Sequence, residues 1–160
     1  MIKKIKKLKS GFVILFAVTI SAIILAIALG VSNIAFREIK FGTNARGSND
    51  AFFAADTGAE CALNNDKPSS NSFVQSGGSG TVQCLGGNIT LNGIFPSWNF
   101  VVSRLGNSEL GCANVTVFKD NITKAPSIIT TVTSKGYNIG DSGCLPSNPN
   151  RIEREIRVSY

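Results

Sequence analysis

The chain has 160 residues and a formal net charge of +6, with 16 Lys and Arg against 10 Asp and Glu and no histidine, a length that suits one folded domain rather than two. Five of the basic residues are Lys3, Lys4, Lys6, Lys7 and Lys9, which leaves 11 positive against 10 negative side chains elsewhere, so no basic patch for nucleic acid survives. Without histidine, His-based triads and histidine–metal sites are excluded as well.

The lysine cluster halts at Ser10-Gly11, and residues 12–36 form an uncharged, mostly apolar run that opens with Phe12. As a helix rising about 1.5 Å per residue it spans roughly 37 Å, enough for a hydrocarbon core of about 30 Å with some tilt. Thr19, Ser21, Ser32 and Asn33 are its only obviously polar side chains. Helical Ser and Thr can bond back to the carbonyl a turn earlier, which makes them tolerable in lipid. The lysines on one flank place the N-terminus in the cytoplasm and the rest of the chain outside. A secretory signal peptide would have an apolar region of only about 7–15 residues and a small-x-small cleavage site. Ala26-Ile27-Ala28 offers such a site, but the run continues through Val31, Ile34 and Phe36. The residues alone leave three treatments open: cleavage near Ala28, an uncleaved anchor, or removal of the basic stub.

No proline precedes Pro68, so one helix can run on from the membrane. Residues 37–64 read as its outer half, with Phe52, Ala55, Ala59 and Ala62 on one stripe; three of the four are alanines, which lets a sheet approach closely. Gly42, Gly47 and Gly58 each cost about 1 kcal/mol relative to Ala, so the span from Gly42 to Gly47 is expected to weaken or melt. The helix should end near Asn64-Asn65. From Lys67 to Gly80 the Pro, Ser, Asn and Gly content reads as a surface loop; it lacks the strand, helix and Lys of a phosphate-binding loop.

Residues 65–160 read as a β domain. Weak strands are expected at 81–84 and 89–91, and clearer ones where Trp98, Phe100 and Val102, and then Ala113, Val115 and Val117, alternate with outward positions. Residues 127–135 are rich in Ile, Thr and Val. In the last strand Ile152, Ile156, Val158 and Tyr160 face one way, interrupted by Arg154, and Arg151, Glu153, Glu155, Arg157 and Ser159 face the other. The fold class is therefore α+β: a long N-terminal helix whose outer half packs on an antiparallel sheet.

Cys61, Cys84, Cys112 and Cys144 all follow the membrane run, and no two are closer than 23 positions, which favours two disulfides over a metal site. In an up-and-down meander the start of the strand after Cys112 lies at the end from which the Cys144 loop departs. Cys112–Cys144 and Cys61–Cys84 are the preferred pairs among three possible connectivities. No catalytic constellation stands out: Ser134 and Lys135 are strand neighbours pointing to opposite faces, and Glu153 and Glu155 read as a solvated, salt-bridged face. The chain is expected not to be an enzyme and to need no cofactor or metal. Asn88, Asn114 and Asn121 match the N-glycosylation acceptor pattern but read as strand and turn residues.

The basic stub ending at Gly11, the Phe12-led apolar run and the small-residue segment Ala51 to Glu60 together resemble the type IV pilin and pseudopilin family, over Lys3 to about Leu63. The resemblance implies that residues 1–11 are a leader cut after Gly11 by a prepilin peptidase, with Phe12 methylated as the new first residue. It implies insertion in the inner (cytoplasmic) membrane, then assembly by inner-membrane machinery into an extracellular or periplasmic filament. There residues 12–36, from Phe12 to Phe36, would pack against other pilin or pseudopilin subunits. Most pilins carry glutamate at the fifth mature position, where this chain has Phe16, and no acid occurs between Phe12 and Arg37. That departure implies a minor, tip or initiating subunit of a type IV pilus or type II secretion pseudopilus. The alternative is an uncleaved single-pass anchor displaying the β domain as an adhesin or binding module.

Overall fold

The computed structural model describes residues 10–70, 72–74, 80–122, 127–140, 143–145 and 148–160. Helix α1 runs without interruption over Ser10–Asn65. Seven strands follow: β1 (Thr81–Cys84), β2 (Gly87–Thr90), β3 (Asn92–Ile94), β4 (Ser97–Leu105), β5 (Gly111–Asp120), β6 (Ile129–Tyr137) and β7 (Glu153–Ser159). β1 and β2 form an antiparallel hairpin, and β3-β4-β5-β6-β7 form a five-stranded antiparallel meander. The chain divides into two units, Met1–Thr43 and Asn44–Tyr160. In the first, every described side chain from 12 to 43 is exposed. The second holds the core.

Inward positions of the meander stack in rows set by the strand register. Trp98, Val117, Val132 and Val158 form one row, Phe100, Val115, Ser134 and Ile156 the next, and Val102, Ala113, Gly136 and Arg154 a third. The rows lose bulk in that order, and α1 lies against the smaller ones. A Cβ at Gly58 would meet Val115 Cγ2 at 2.8 Å and Ala113 Cβ at 2.9 Å, and one at Gly136 would overlap Ala55 N and Ala51 O. Ala51, Ala54, Ala55, Ala59 and Ala62 are all buried on this face. Small side chains bring helix and sheet backbones together, so dispersion is gained over the whole contact without one large residue.

Phe52 does not share that stripe. It is 49 % exposed, as is its neighbour Phe53 at 63 %, and the two rings meet edge to face at 6.0 Å. The other three expected positions, Ala55, Ala59 and Ala62, are buried together with Ala51, Ala54 and Gly58, and it is Ala51 and Ala55, not Phe52, that lie over Gly136. Between Gly42 and Gly47 the helix does not melt, although the boundary between the two units falls there. The helix is continuous, and Gly47 is a packing position where a Cβ would meet Ile152 Cδ1 at 2.9 Å and Asn138 Nδ2 at 3.0 Å. A propensity cost of about 1 kcal/mol at such a glycine is offset by the tertiary contact that it permits.

The segment after the helix is less purely surface than its composition suggests. Phe73 is buried, with its ring 5.7 Å from Trp98 and 6.4 Å from Phe100, and it caps the bulky end of the core. Burying such a side chain stabilises by roughly 1.5–3 kcal/mol. The glycine-rich stretch 75–79 lies outside the described residues. β6 also runs two residues past Lys135, through Gly136 to Tyr137.

Candidate functional site

Among the described residues, the largest feature without a partner is the apolar half of α1. Phe12 is 78 % exposed, and Ile14, Leu15, Phe16, Ile24, Leu29, Phe36 and Phe41 are exposed with it. Scattered surface apolar residues are ordinary, but a contiguous apolar surface of this length marks a membrane or protein contact. The helix over Phe12–Asn65 is long and apolar enough to cross a membrane near the N-terminus. Thr19 and Ser21 fit that setting, since their hydroxyls donate to the carbonyls of Phe16 at 2.9 Å and Ala17 at 2.8 Å. Gly11 lies within the first turn of α1. Lys3, Lys4, Lys6, Lys7 and Lys9 lie outside the described residues.

The other end of α1 is locked to the sheet. Cys61 is bonded to Cys84 and Cys112 to Cys144, with Cα–Cα separations of 5.6 and 5.7 Å. The first bridge ties the last turns of α1 to β1. The second ties the start of β5 to the segment beyond β6, as the strand order favours, because Cys112 lies opposite Tyr137 at the end of β6.

Beside the first bridge, the buried Asn65 imitates a strand. Its side-chain nitrogen donates to Gln83 O at 3.0 Å and its side-chain oxygen accepts from Gln83 N at 3.0 Å. One residue on, the Asp66 carboxylate meets Lys119 Nζ of β5 at 2.6 Å and accepts from the Tyr160 hydroxyl at 2.7 Å. Burial, and then the Asp66 carboxylate, push the Tyr160 phenol well up from its ordinary value. Helix end, central strand and edge strand thus converge on one carboxylate.

The polar residues considered for chemistry fall apart. Ser134 is buried under Gly58, where its Oγ has no hydrogen-bond partner among the described residues, while Lys135 points to the other face, donates to Glu153 at 3.2 Å and forms an ion pair with Glu155 at 3.7 Å. The hydrogen bond to Glu153 holds the Lys135 ammonium above its ordinary pKa. The Tyr137 hydroxyl, and then Lys135, hold the Glu153 carboxyl below its own. Arg154, the break in the apolar alternation of β7, donates to Ser48 Oγ of α1 at 2.9 Å and 2.7 Å. Asn88, Asn114 and Asn121 are all exposed.

Sequence reading missed Asn65, the Asp66–Lys119–Tyr160 cluster and the closeness of Gly136 to α1. Only the last left a signal, an isolated glycine in a strand otherwise rich in β-branched residues.

No family model, no curated protein and no solved structure matches this chain.

Proposed function

We propose that this chain is a structural subunit of a type IV pilus or pseudopilus-type filament, and not an enzyme. The observation that carries the reading is an uncovered apolar half-helix continuous in sequence with a half that is packed and disulfide-locked to a small antiparallel sheet. The helix serves first as a membrane anchor, with the N-terminus cytoplasmic, and then as the packing surface toward other subunits. A prepilin peptidase removes residues 1–11 after Gly11 and leaves Phe12 as the first residue. The sheet forms the lateral surface outside the membrane. Phe16 in place of an acid suits either a subunit at a filament tip or one whose register along the filament is set by charges elsewhere.

Processing tests this reading directly. The full chain and its Gly11→Val variant are produced with the host's prepilin peptidase. The unmodified chain should lose the mass of residues 1–11 and the variant should keep it, because a peptidase gripping backbone beside the membrane tolerates little side chain before the cut. Equal processing of both, or of neither, contradicts the reading. Loss of neither leader points to the uncleaved anchor.

A further inference from the structure

An apolar surface drives helices together but does not fix how far one slides along the next, and residues 12–36 carry no charge that could do so. The charges of α1 begin where that run ends, and they are sorted by sign. Arg37, Lys40 and Arg46 come first and Asp50, Asp56 and Glu60 follow, with Glu38 the one departure from the order. All are exposed, and among the described residues none of them is in an ion pair. Lys119, Lys135, Asp66, Glu153 and Glu155 are all matched within the chain.

Spacing selects the members that act together. Arg37 and Lys40 are three apart and Asp56 and Glu60 four apart, so each pair occupies one helical face. Asp56 and Glu60 are exposed while Ala51, Ala55, Gly58 and Ala62 turn to the sheet, so they lie off the packed face of α1.

We infer that the Asp56–Glu60 patch receives the Arg37–Lys40 patch of a second copy of this chain, in parallel orientation and shifted by about 19–20 residues along α1. Charge complementarity favours that occupant: the chain carries both halves of the match and, among the described residues, satisfies neither internally. The inference rests on the filament reading, which supplies the parallel orientation because every copy enters the membrane the same way round. In that orientation each copy offers one patch upward and one downward. The contact is heterologous, and it propagates as an open stack instead of closing as a dimer. Exposed pairs of this kind add little affinity and act on register and choice of partner. At this shift the two apolar runs overlap only where residues 12–17 of one copy lie beside 31–36 of the other, so the charged pairs fix where these two copies stop and most of the apolar run is left for other neighbours in the filament.

Charge exchange in the full chain, in its own host, tests the inference. Cells are sheared, and sedimentable filament is quantified against membrane-held subunit. Asp56→Lys with Glu60→Lys should lower the assembled fraction by about tenfold, since two attractive pairs worth a few-fold each become repulsive. Arg37→Glu with Lys40→Glu should do the same. All four changes together should restore assembly to within about threefold of the unmodified chain, because the match is re-formed with signs reversed. Non-reducing mass mapping of Cys61 with Cys84 confirms that the variants at 56 and 60 are folded. If they are not, the Arg37 and Lys40 variant decides the matter alone. Undiminished assembly of a reversed variant, or a fourfold exchange no better than its halves, overturns the register inference and leaves the filament reading intact. Absence of the unmodified chain from the sedimentable fraction overturns the filament reading, and the inference with it.

Discussion

Replacing Gly136 with alanine tests the closest approach in the fold. The added Cβ would overlap Ala51 O and Ala55 N, the acceptor and donor positions of one helical i→i+4 hydrogen bond, so no side chain can swing aside to relieve it. The helix must shift outward from the sheet. A radial gap of 0.5–1 Å forfeits roughly a quarter to a half of the dispersion attraction across such a contact. Overpacking alone costs about 1–3 kcal/mol where side chains can rearrange. Backbone against backbone belongs at the upper end of that range, about 3 kcal/mol. For a folded unit the size of Asn44–Tyr160 this lowers Tm by about 12 °C. Trp98 is the only tryptophan and is fully buried in the same core, so its fluorescence reports the transition of the full chain in detergent micelles. Gly42→Ala is the matched control. Its Cβ meets nothing within 4 Å, and helix propensity improves by about 1 kcal/mol, so the Trp98 transition should not fall. A Gly136→Ala transition within about 1 °C of the unmodified chain would refute the close packing of helix on sheet.

The carboxylate at the helix end gives a graded pair. Tyr160→Phe removes one hydrogen bond to a charged group and should cost about 1.5–2 kcal/mol in urea unfolding. Lys119→Met leaves the buried Asp66 without its cation and should cost about 3 kcal/mol, and the reverse order would show that Lys119 is not the main partner. Reduction of both disulfides should lower stability by about 3 kcal/mol per bridge, read as the change in urea midpoint; an unchanged midpoint would mean that they constrain nothing. Glu153 has a depressed native pKa, so the native state holds fewer protons than the unfolded one as acid is added. Its contribution is present above the unfolded carboxylate range and is lost as pH falls through the native value. Glu153→Gln should therefore flatten the acid limb of the stability–pH curve modestly, since the group is well solvated. An unchanged limb contradicts the Tyr137 and Lys135 contacts.

Much of this fold is legible from residue patterns because each pattern has a local cause. The absence of proline before Pro68 allows one helix, and the period-two runs around Trp98 to Val102 and Ala113 to Val117 appear as β4 and β5 with the expected inward faces. What escapes is set by tertiary contact. Of the expected helix stripe Ala55, Ala59 and Ala62 are buried, but Ala51 takes the place over Gly136 across the interface, so Phe52 lies off the stripe although its spacing fits. Gly47 reads as a helix breaker by propensity, and Ile152 and Asn138 make it a packing site. Asp66, Lys119 and Tyr160 are far apart in the chain, and nothing local announces their meeting. The short β3 strand lacks any alternation that could mark it. At the N-terminus the balance is reversed. Gly11 and Phe12 are legible as residues beside a basic stub, and the structure adds that Phe12 and the apolar surface behind it are uncovered by any of the described residues.

The most direct test of the account is the intact mass and N-terminal sequence of the protein isolated from its native host. The filament-subunit reading predicts a chain that begins at Phe12, carries a methyl group on that residue, and retains both disulfides. A chain that still carries Lys3 to Lys9, or one cut near Ala28, would contradict it.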